Sequence, residues 1–321
     1  MKERVKISEL GERYLLRAII FPNLTISREF LDEDAVIIED NRKFIVINAD
    51  TFVRSTDAPP GMSFRDMGYK TVAMSVSDVI AKGAKPLGFL LTISVPQETY
   101  LEDFEELIKG VREACDELGI KYLGGDLGGS DDLVLTGICV GTTRRVVLRG
   151  GARPGDYVWV TGEFGYTGVA LHYLLHKGRE VEGIEEAIQF FKRPRIKVRV
   201  NEILREIATA AMDSSDGLAI TLDSIARASH VSIILERLPI AKIAIDYAKA
   251  NELNPEELAL YAGEEFEIVF TTSADLPPQE VVEIFKQKGL NEPLLIGKVH
   301  EGEGIFYKGA RIKIAGWEHF R

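Results

Sequence analysis

Apolar positions recur along this chain in two rhythms. Over residues 65–82 they follow helical spacing, with Met67, Val72, Val76, Val79 and Ile80 on one stripe. Residues 101–118 carry a second, strong helical pattern, and residues 8–20 predict an opening amphipathic helix with Ser8 as its N-cap. Shorter apolar and β-branched runs predict strands over 35–38, 44–48, 87–94 and 133–141. Between them, Tyr122-Leu123 runs into Gly124-Gly125-Asp126.

The densest cluster of breakers in mid-chain is Gly150-Gly151-Ala152-Arg153-Pro154-Gly155-Asp156. A domain boundary beside it divides the chain into 1–148 and 149–321. A strand is predicted over 157–161, then a glycine-rich turn over 162–168. Helices are predicted over 169–175, 184–191, 196–210, 218–228 and 278–288. Further strands fall at 233–235, 266–270, 294–296 and 312–314. Strands and helices mix without strict βαβ alternation, which predicts α+β rather than a doubly wound α/β fold.

A length of 321 residues suits two domains, and the 45% hydrophobic and 28% charged content is that of a globular protein. The net charge of −11 disfavours a phosphate-backbone partner, so nucleic acid is not expected. It leaves room for small phosphorylated ligands, because carboxylates recruit Mg²⁺, which then binds phosphate. Cys115 and Cys139 form no CxxC and read as small buried hydrophobes. No apolar run approaches the roughly 20 residues of a membrane span, and the start of the chain has no signal-peptide pattern. A cytoplasmic protein without a membrane partner is the default expectation.

The chemistry concentrates in aspartates. Asn48-Ala49-Asp50-Thr51, Ser75-Val76-Ser77-Asp78, Gly124-Gly125-Asp126 and Asp213-Ser214-Ser215-Asp216-Gly217 set carboxylates among small residues, and Asp32-Glu33-Asp34 adds an acidic turn. Hard cations such as Mg²⁺ take carboxylate oxygens, and glycine lets backbone and phosphate approach closely. Any one of these aspartates is explained as a turn residue or cap. The recurrence of the context points to a metal that neutralises carboxylates brought together. No GxSxG elbow, HExxH or Walker A loop occurs, and His172 and His176 lack a third ligand nearby.

In their order along the chain, these motifs resemble those of thiamine-monophosphate kinases, within the aminoimidazole-ribonucleotide synthetase-like superfamily of ATP-using enzymes. The resemblance also takes in Ser77-Asp78-Val79-Ile80-Ala81-Lys82-Gly83-Ala84, Arg149 to Asp156, Gly263-Glu264-Glu265-Phe266-Glu267 and Gly316-Trp317-Glu318-His319-Phe320. It covers essentially the whole chain. Each motif alone is weak, and the ordered set is specific. The resemblance implies an N-terminal α+β domain whose strands form a barrel with a second subunit, and a C-terminal α/β sandwich. It implies Mg²⁺, several ions, with ATP as co-substrate and thiamine monophosphate as acceptor, in a homodimer. Asp50, Asp78 and Asp126 resemble the principal metal ligands, Asp213 and Asp216 those of the C-terminal domain. Asn48 and Ala49 sit where hydroxyl residues often assist. In the acidic turn, ungapped spacing selects Glu33, and a one-residue shift selects Asp34. Gly125, Asp126, Arg149 and Ser215 resemble nucleotide contacts. Asp57, Glu264 and Trp317 resemble substrate contacts. The chain departs from the family pattern at Leu31 to Asp34 (usually Gly-Asp-Asp), at Ala49, in the 56–61 loop, and at Glu265-Phe266 (usually Asp-Tyr).

The implied reaction moves the γ-phosphoryl group of ATP to an acceptor that is already an anionic phosphate oxygen. No general base is required, and catalysis reduces to in-line positioning and charge neutralisation. Among relatives, a selenophosphate synthetase would carry a reactive residue near the N-terminus, and no Cys precedes Cys115. A hydrogenase-maturation relative would end in Cys, where this sequence ends in Phe320-Arg321. The alternatives are an aminoimidazole-ribonucleotide synthetase-like enzyme, less consistent with Glu264 and Trp317, and a non-catalytic nucleotide-binding dimer.

Overall fold

The computed structural model describes residues 5–316. Two mixed sheets carry it. The first contains β1 (Val36–Asp40), β2 (Lys43–Val53), β3 (Lys85–Val95), β4 (Lys121–Gly129) and β5 (Val134–Thr143), in the order β1-β2-β5-β3-β4. Only β3 and β4 run parallel. The second contains β6 (Tyr157–Val160), β7 (Ala208–Asp213), β8 (Ser232–Leu235), β9 (Ile268–Thr272), β10 (Leu294–His300), β11 (Gly304–Tyr307) and β12 (Ala310–Arg311), in the order β12-β11-β8-β10-β6-β9-β7. The first half of the chain adds helices α1 (Glu12–Leu15), α2 (Arg54–Asp57), α3 (Phe64–Ala81) and α4 (Leu101–Leu118). The second adds α5 (Tyr166–His176), α6 (Ile184–Lys192), α7 (Val200–Ile207), α8 (Leu218–Ser229), α9 (Lys242–Asn251), α10 (Pro255–Tyr261) and α11 (Pro278–Gln287). The fold is mixed α+β, as the irregular alternation predicts.

Helix α3 positions much of the polar interior. Ser63 starts it with a capping box: its Oγ accepts from the Asp66 amide at 3.1 Å, and its own amide and hydroxyl donate to the Asp66 carboxylate. Gly83, in the left-handed region at φ 69°, follows its end. The expected apolar stripe is only part of its surface. From Met67 to Ala81 nearly every side chain is buried, including Lys70, Ser75, Ser77 and Asp78. The reason is that α3 lies between elements of both halves. One apolar cluster joins Val72, Val76 and Val79 to Phe89 and Leu135 on one side and to Trp159, Phe270 and Ile203 on the other.

Four expectations need correction. The opening helix over 8–20 is broken into a 3-10 turn, the short α1 and a π-helical turn, with Gly11 at φ 77° interrupting it. The strand expected over 44–48 continues to Val53, so Asp50 lies inside β2 and not at its end. The helix expected over 196–210 stops at Ile207, and the chain becomes strand β7. The strand expected over 312–314 is replaced by the hairpin β11–β12, which ends at Arg311. The side chain of Ser8 and all of Trp317 lie outside the described residues. No helix among the described residues is long and apolar enough to cross a membrane.

Candidate active site

Strand β2 delivers Asn48 and Asp50 to the face of the first sheet that packs on α3. Alternation puts Val46, Asn48 and Phe52 inside. From α3, Asp78 meets them: Asn48 Nδ2 donates to Asp78 Oδ2 at 2.5 Å, and Asp50 shares hydrogen bonds with Asp78 and Asn48. Asp213 arrives at the end of β7, where its Oδ2 accepts from Ser77 Oγ at 2.8 Å. Asp34 comes from the acidic turn. One carboxylate oxygen from each of Asp34, Asp78 and Asp213 lies within 4.8 Å of the others.

The charges of this cluster are unevenly offset. Burial opposes ionisation of Asp34, but Arg149 and Lys82 outweigh it and hold its pKa below the usual range. Arg149 Nε reaches Asp34 Oδ1 at 2.8 Å, and Lys82 Nζ lies 2.7 Å from Oδ2. Among the described residues Asp78 has no such cation. Burial first, and then Asp213, Asp50 and Asp34, push its pKa well above the usual value. Burial and the Asp34 charge push Asp213 up to about 7. Burial raises Asp50 as well. Three neighbouring acids that resist losing their protons mark a site short of positive charge.

The donor set fits a hard cation. Besides the close carboxylates, Asn48 Oδ1 and Asp213 Oδ1 are buried oxygens with no hydrogen-bond partner among the described residues. Such orphans cost about 1–3 kcal/mol each unless something accepts their lone pairs. Oxygen-only ligands of this kind suit Mg²⁺. Beside the cluster opens a cavity of about 420 Å³. Asp34, Asn48, Arg149 and Asp216 give it a polar floor, and Leu16, Phe21 and Phe30 an apolar wall.

The structure separates the two carboxylates that spacing left open in the acidic turn. Asp34 joins the cluster. Glu33 turns to Lys82 at 2.6 Å and accepts the Arg149 amide at 3.0 Å. Ala49 contributes only a methyl group to the cavity wall. Asp216 lines that wall, and Ser215 lies beside it in the same loop. Asp126 is not brought to the cluster. On β4 it pairs with Thr92 of β3, in a row continued by Thr136 and Thr51, and strand alternation puts that row on the sheet face opposite Asp50. Gly125, next to it, packs so tightly that a Cβ would lie 1.7 Å from Leu91 O.

Asp57 and Glu264 gather at the other end of α3, around Lys70. The Lys70 ammonium lies 2.9 Å from Glu264 Oε2 and also feels Asp57. Asp57 further accepts the Val53 amide at 2.7 Å. Sequence reasoning does not single out Lys70 and Lys82. Their signal is weak: Lys82 follows Asp78 by four residues, one helical turn on, and Lys70 precedes Asp78 by eight, about 80° around the axis.

Both halves of the chain match family models: AIR synthase related protein, N-terminal domain, over residues 31–143, and AIR synthase related protein, C-terminal domain, over 153–308. Fold and site thus define an AIR synthase related protein. Within that class, the chain is 35% identical over 321 residues to a thiamine-monophosphate kinase of Nitrosopumilus maritimus, covering 98% of this chain and 100% of that protein. It is 35% identical over 301 residues to a thiamine-monophosphate kinase of Pyrococcus abyssi, covering 91% of each. A solved structure described as AaThiL complexed with AMPPCP and TMP superposes with a TM-score of 0.88 at 30% identity, over 98% of this chain and 99% of that one. The chain belongs to the thiamine-monophosphate kinase family.

Proposed function

We propose that this protein transfers the γ-phosphoryl group of ATP to the phosphate of thiamine monophosphate, giving thiamine diphosphate and ADP. The observation that carries the reading is the Asp34–Asp78–Asp213 cluster, with its orphaned oxygens, beside a cavity floored by Arg149. An acceptor phosphate oxygen forms the new bond to the γ-phosphorus as the bond to the ADP oxygen breaks, and ADP keeps the electron pair. No proton has to be removed from the acceptor, so a carboxylate cluster without a dedicated base is sufficient. Bound Mg²⁺, in several ions, supplies the charge neutralisation that two anionic phosphates need.

The chain's own residues do the rest. Asp34, Asp50, Asp78, Asp213 and Asp216, with Asn48 Oδ1, hold the cations. Arg149 and Ser215 flank the nucleotide phosphates. Lys82 and Arg149 keep Asp34 ionised and fixed. Asp57 and Glu264 face the thiamine end, and the family resemblance assigns Trp317 to the same ligand.

We further infer a homodimer built on the first sheet, in a cytoplasmic protein whose chain divides near 148/149. The outer face of that sheet exposes Val36, Ile38 and Leu87, and β4 is an open edge with Leu123 56% and Leu127 61% exposed. An exposed apolar face and edge of this kind invites a second copy to complete a barrel. Gly125 and Asp126 lie on that edge, so pairing is what would bring them to a nucleotide site.

The test mixes the purified protein with ATP, Mg²⁺ and thiamine monophosphate and measures thiamine diphosphate. Product that disappears with EDTA is expected. ATP binding without product would refute the acceptor assignment and favour another enzyme of the superfamily.

A further inference from the structure

Lys70 is a fully buried cation that phosphoryl transfer itself does not call for. A buried ammonium is costly unless it is paired. Here its neighbours are few and specific: Glu264 Oε2 at 2.9 Å and the face of the Phe191 ring, 3.6 Å from its centroid. Burial lowers the lysine pKa, and Glu264 and Asp57 pull against that.

Glu264 is itself held in an unusual way. Its backbone lies in the left-handed region at φ 65°, and Phe266, two residues on, at φ 51°. Non-glycine residues there cost on the order of 1–3 kcal/mol each and persist only where the surroundings hold them. The surroundings are visible. The Glu264 amide donates to Ser215 O at 2.6 Å and the Phe266 amide to Ser214 O at 3.0 Å. The loop that carries Asp213 and Asp216 therefore fixes the backbone of Glu264. The side chain is left to Lys70. The Glu264 side chain keeps 29% of its surface exposed, against none for Lys70, so the pair has a sealed cationic end and an open carboxylate end.

We propose that Lys70 is a positioning and specificity-determining residue for the acceptor, a reading that rests on the kinase assignment above. Its ammonium ion-pairs with one carboxylate oxygen of Glu264 and leaves the remainder of that carboxylate to face the thiamine rings. Lys70, Glu264 and Asp57 together carry one net negative charge. That suits an acceptor with one cationic aromatic ring, and Lys70 sets this count by neutralising one of two carboxylates.

Lys70→Met keeps the stem against Phe191 and removes the ammonium. Its expected signature is a KM for thiamine monophosphate raised tenfold or more, a KM for ATP changed less than twofold, and a kcat reduced less than threefold. Glu264→Gln raises the same KM, and the double variant is no worse than the more impaired single one, because both changes break one device. A Lys70→Met enzyme with an acceptor KM within twofold of wild type overturns the proposal, as does an equal rise in the ATP KM or a multiplicative double variant. If Lys70→Met does not fold, Lys70→Gln, which removes the charge and keeps a donor, is measured in the same way. A threefold or greater rise in acceptor KM is then expected, and an unchanged value overturns the proposal. Wild-type protein that makes no thiamine diphosphate overturns the kinase reading and this proposal together. Wild-type turnover with an unmoved variant KM overturns this proposal alone.

Discussion

Replacing Asp78 by Asn separates the metal role of the acidic cluster from its structural role. Two ionised carboxylates with oxygens within 4.8 Å of each other repel by at least about 3 kcal/mol at an effective dielectric of about 20. Burial and that repulsion explain why Asp78 holds its proton far above the usual carboxylate range. Without a cation, then, burial and the neighbouring carboxylates favour the neutral acid, and asparagine is its near isostere. The amide oxygen still accepts from Asn48 Nδ2 as Asp78 Oδ2 does. Metal-free stability should change by less than about 1 kcal/mol, or roughly 1–2 °C in Tm. Cation binding requires the ionised acid, so its contribution should vanish. At a hundredfold excess over Kd, Mg²⁺ should stabilise the wild type by about 2.7 kcal/mol, a rise of about 4 °C. Asp78→Asn should show almost none of that rise and lose at least about 10²-fold in turnover, the scale of one lost charge-stabilising group. The assay is thermal melting in EDTA and in graded Mg²⁺, beside thiamine diphosphate formation. A variant that melts far lower in EDTA, that keeps the Mg²⁺ response, or that turns over normally would refute the reasoning.

Lys82→Met should cost about 3–5 kcal/mol in urea unfolding, because Lys82 lies 2.6 Å from Glu33 and 2.7 Å from Asp34 and its loss leaves buried carboxylates partly uncompensated; a loss below about 1 kcal/mol would show that Arg149 suffices alone. Glu265 is buried, and its pKa is raised from 4.5 to about 7. The folded state keeps a proton that the unfolded chain releases, so Glu265 makes stability fall as pH rises from about 4.5 to 7, by about 3 kcal/mol in all. Glu265→Gln, whose amide oxygen can still accept from Gly165 N and Thr167 N as Glu265 Oε1 does, should flatten that slope and exceed wild-type stability above pH 7, and parallel profiles would contradict it.

Much of this architecture is legible in the sequence for local reasons. The helices α3 and α4 follow from their spacing, and the breaker cluster at 150–156 falls between the last strand of one sheet and the first of the other. Strand β7 is hidden because Ala208 to Asp213 is rich in small residues and continues the helical rhythm of α7. Lys70 and Lys82 are hidden for a non-local reason. What sets them apart is burial against Glu264, Glu33 and Asp34, partners that neighbouring sequence does not show. Asp126 is the converse case: its Gly-Gly-Asp context suggests the cluster, and the parity of one edge strand sends it to the opposite face.

On the proposed function, helix α3 lets one short stretch serve two ligands at once. Lys70 and Asp78 are eight residues apart, about 12 Å along the axis. Four residues further, about 6 Å on, Lys82 locks Asp34 and donates to Ala211 O at 3.2 Å, which ties the first half of the chain to β7. The same two ends are joined on the opposite wall by backbone alone, where the 213–216 loop accepts from Glu264 and Phe266. Acceptor end and cation end are thus braced twice, by a helix that buries nearly every side chain and by a strained loop that cannot shift without losing its hydrogen bonds. In the proposed base-free transfer, the separation of donor and acceptor governs the in-line geometry, and both braces would hold that separation fixed.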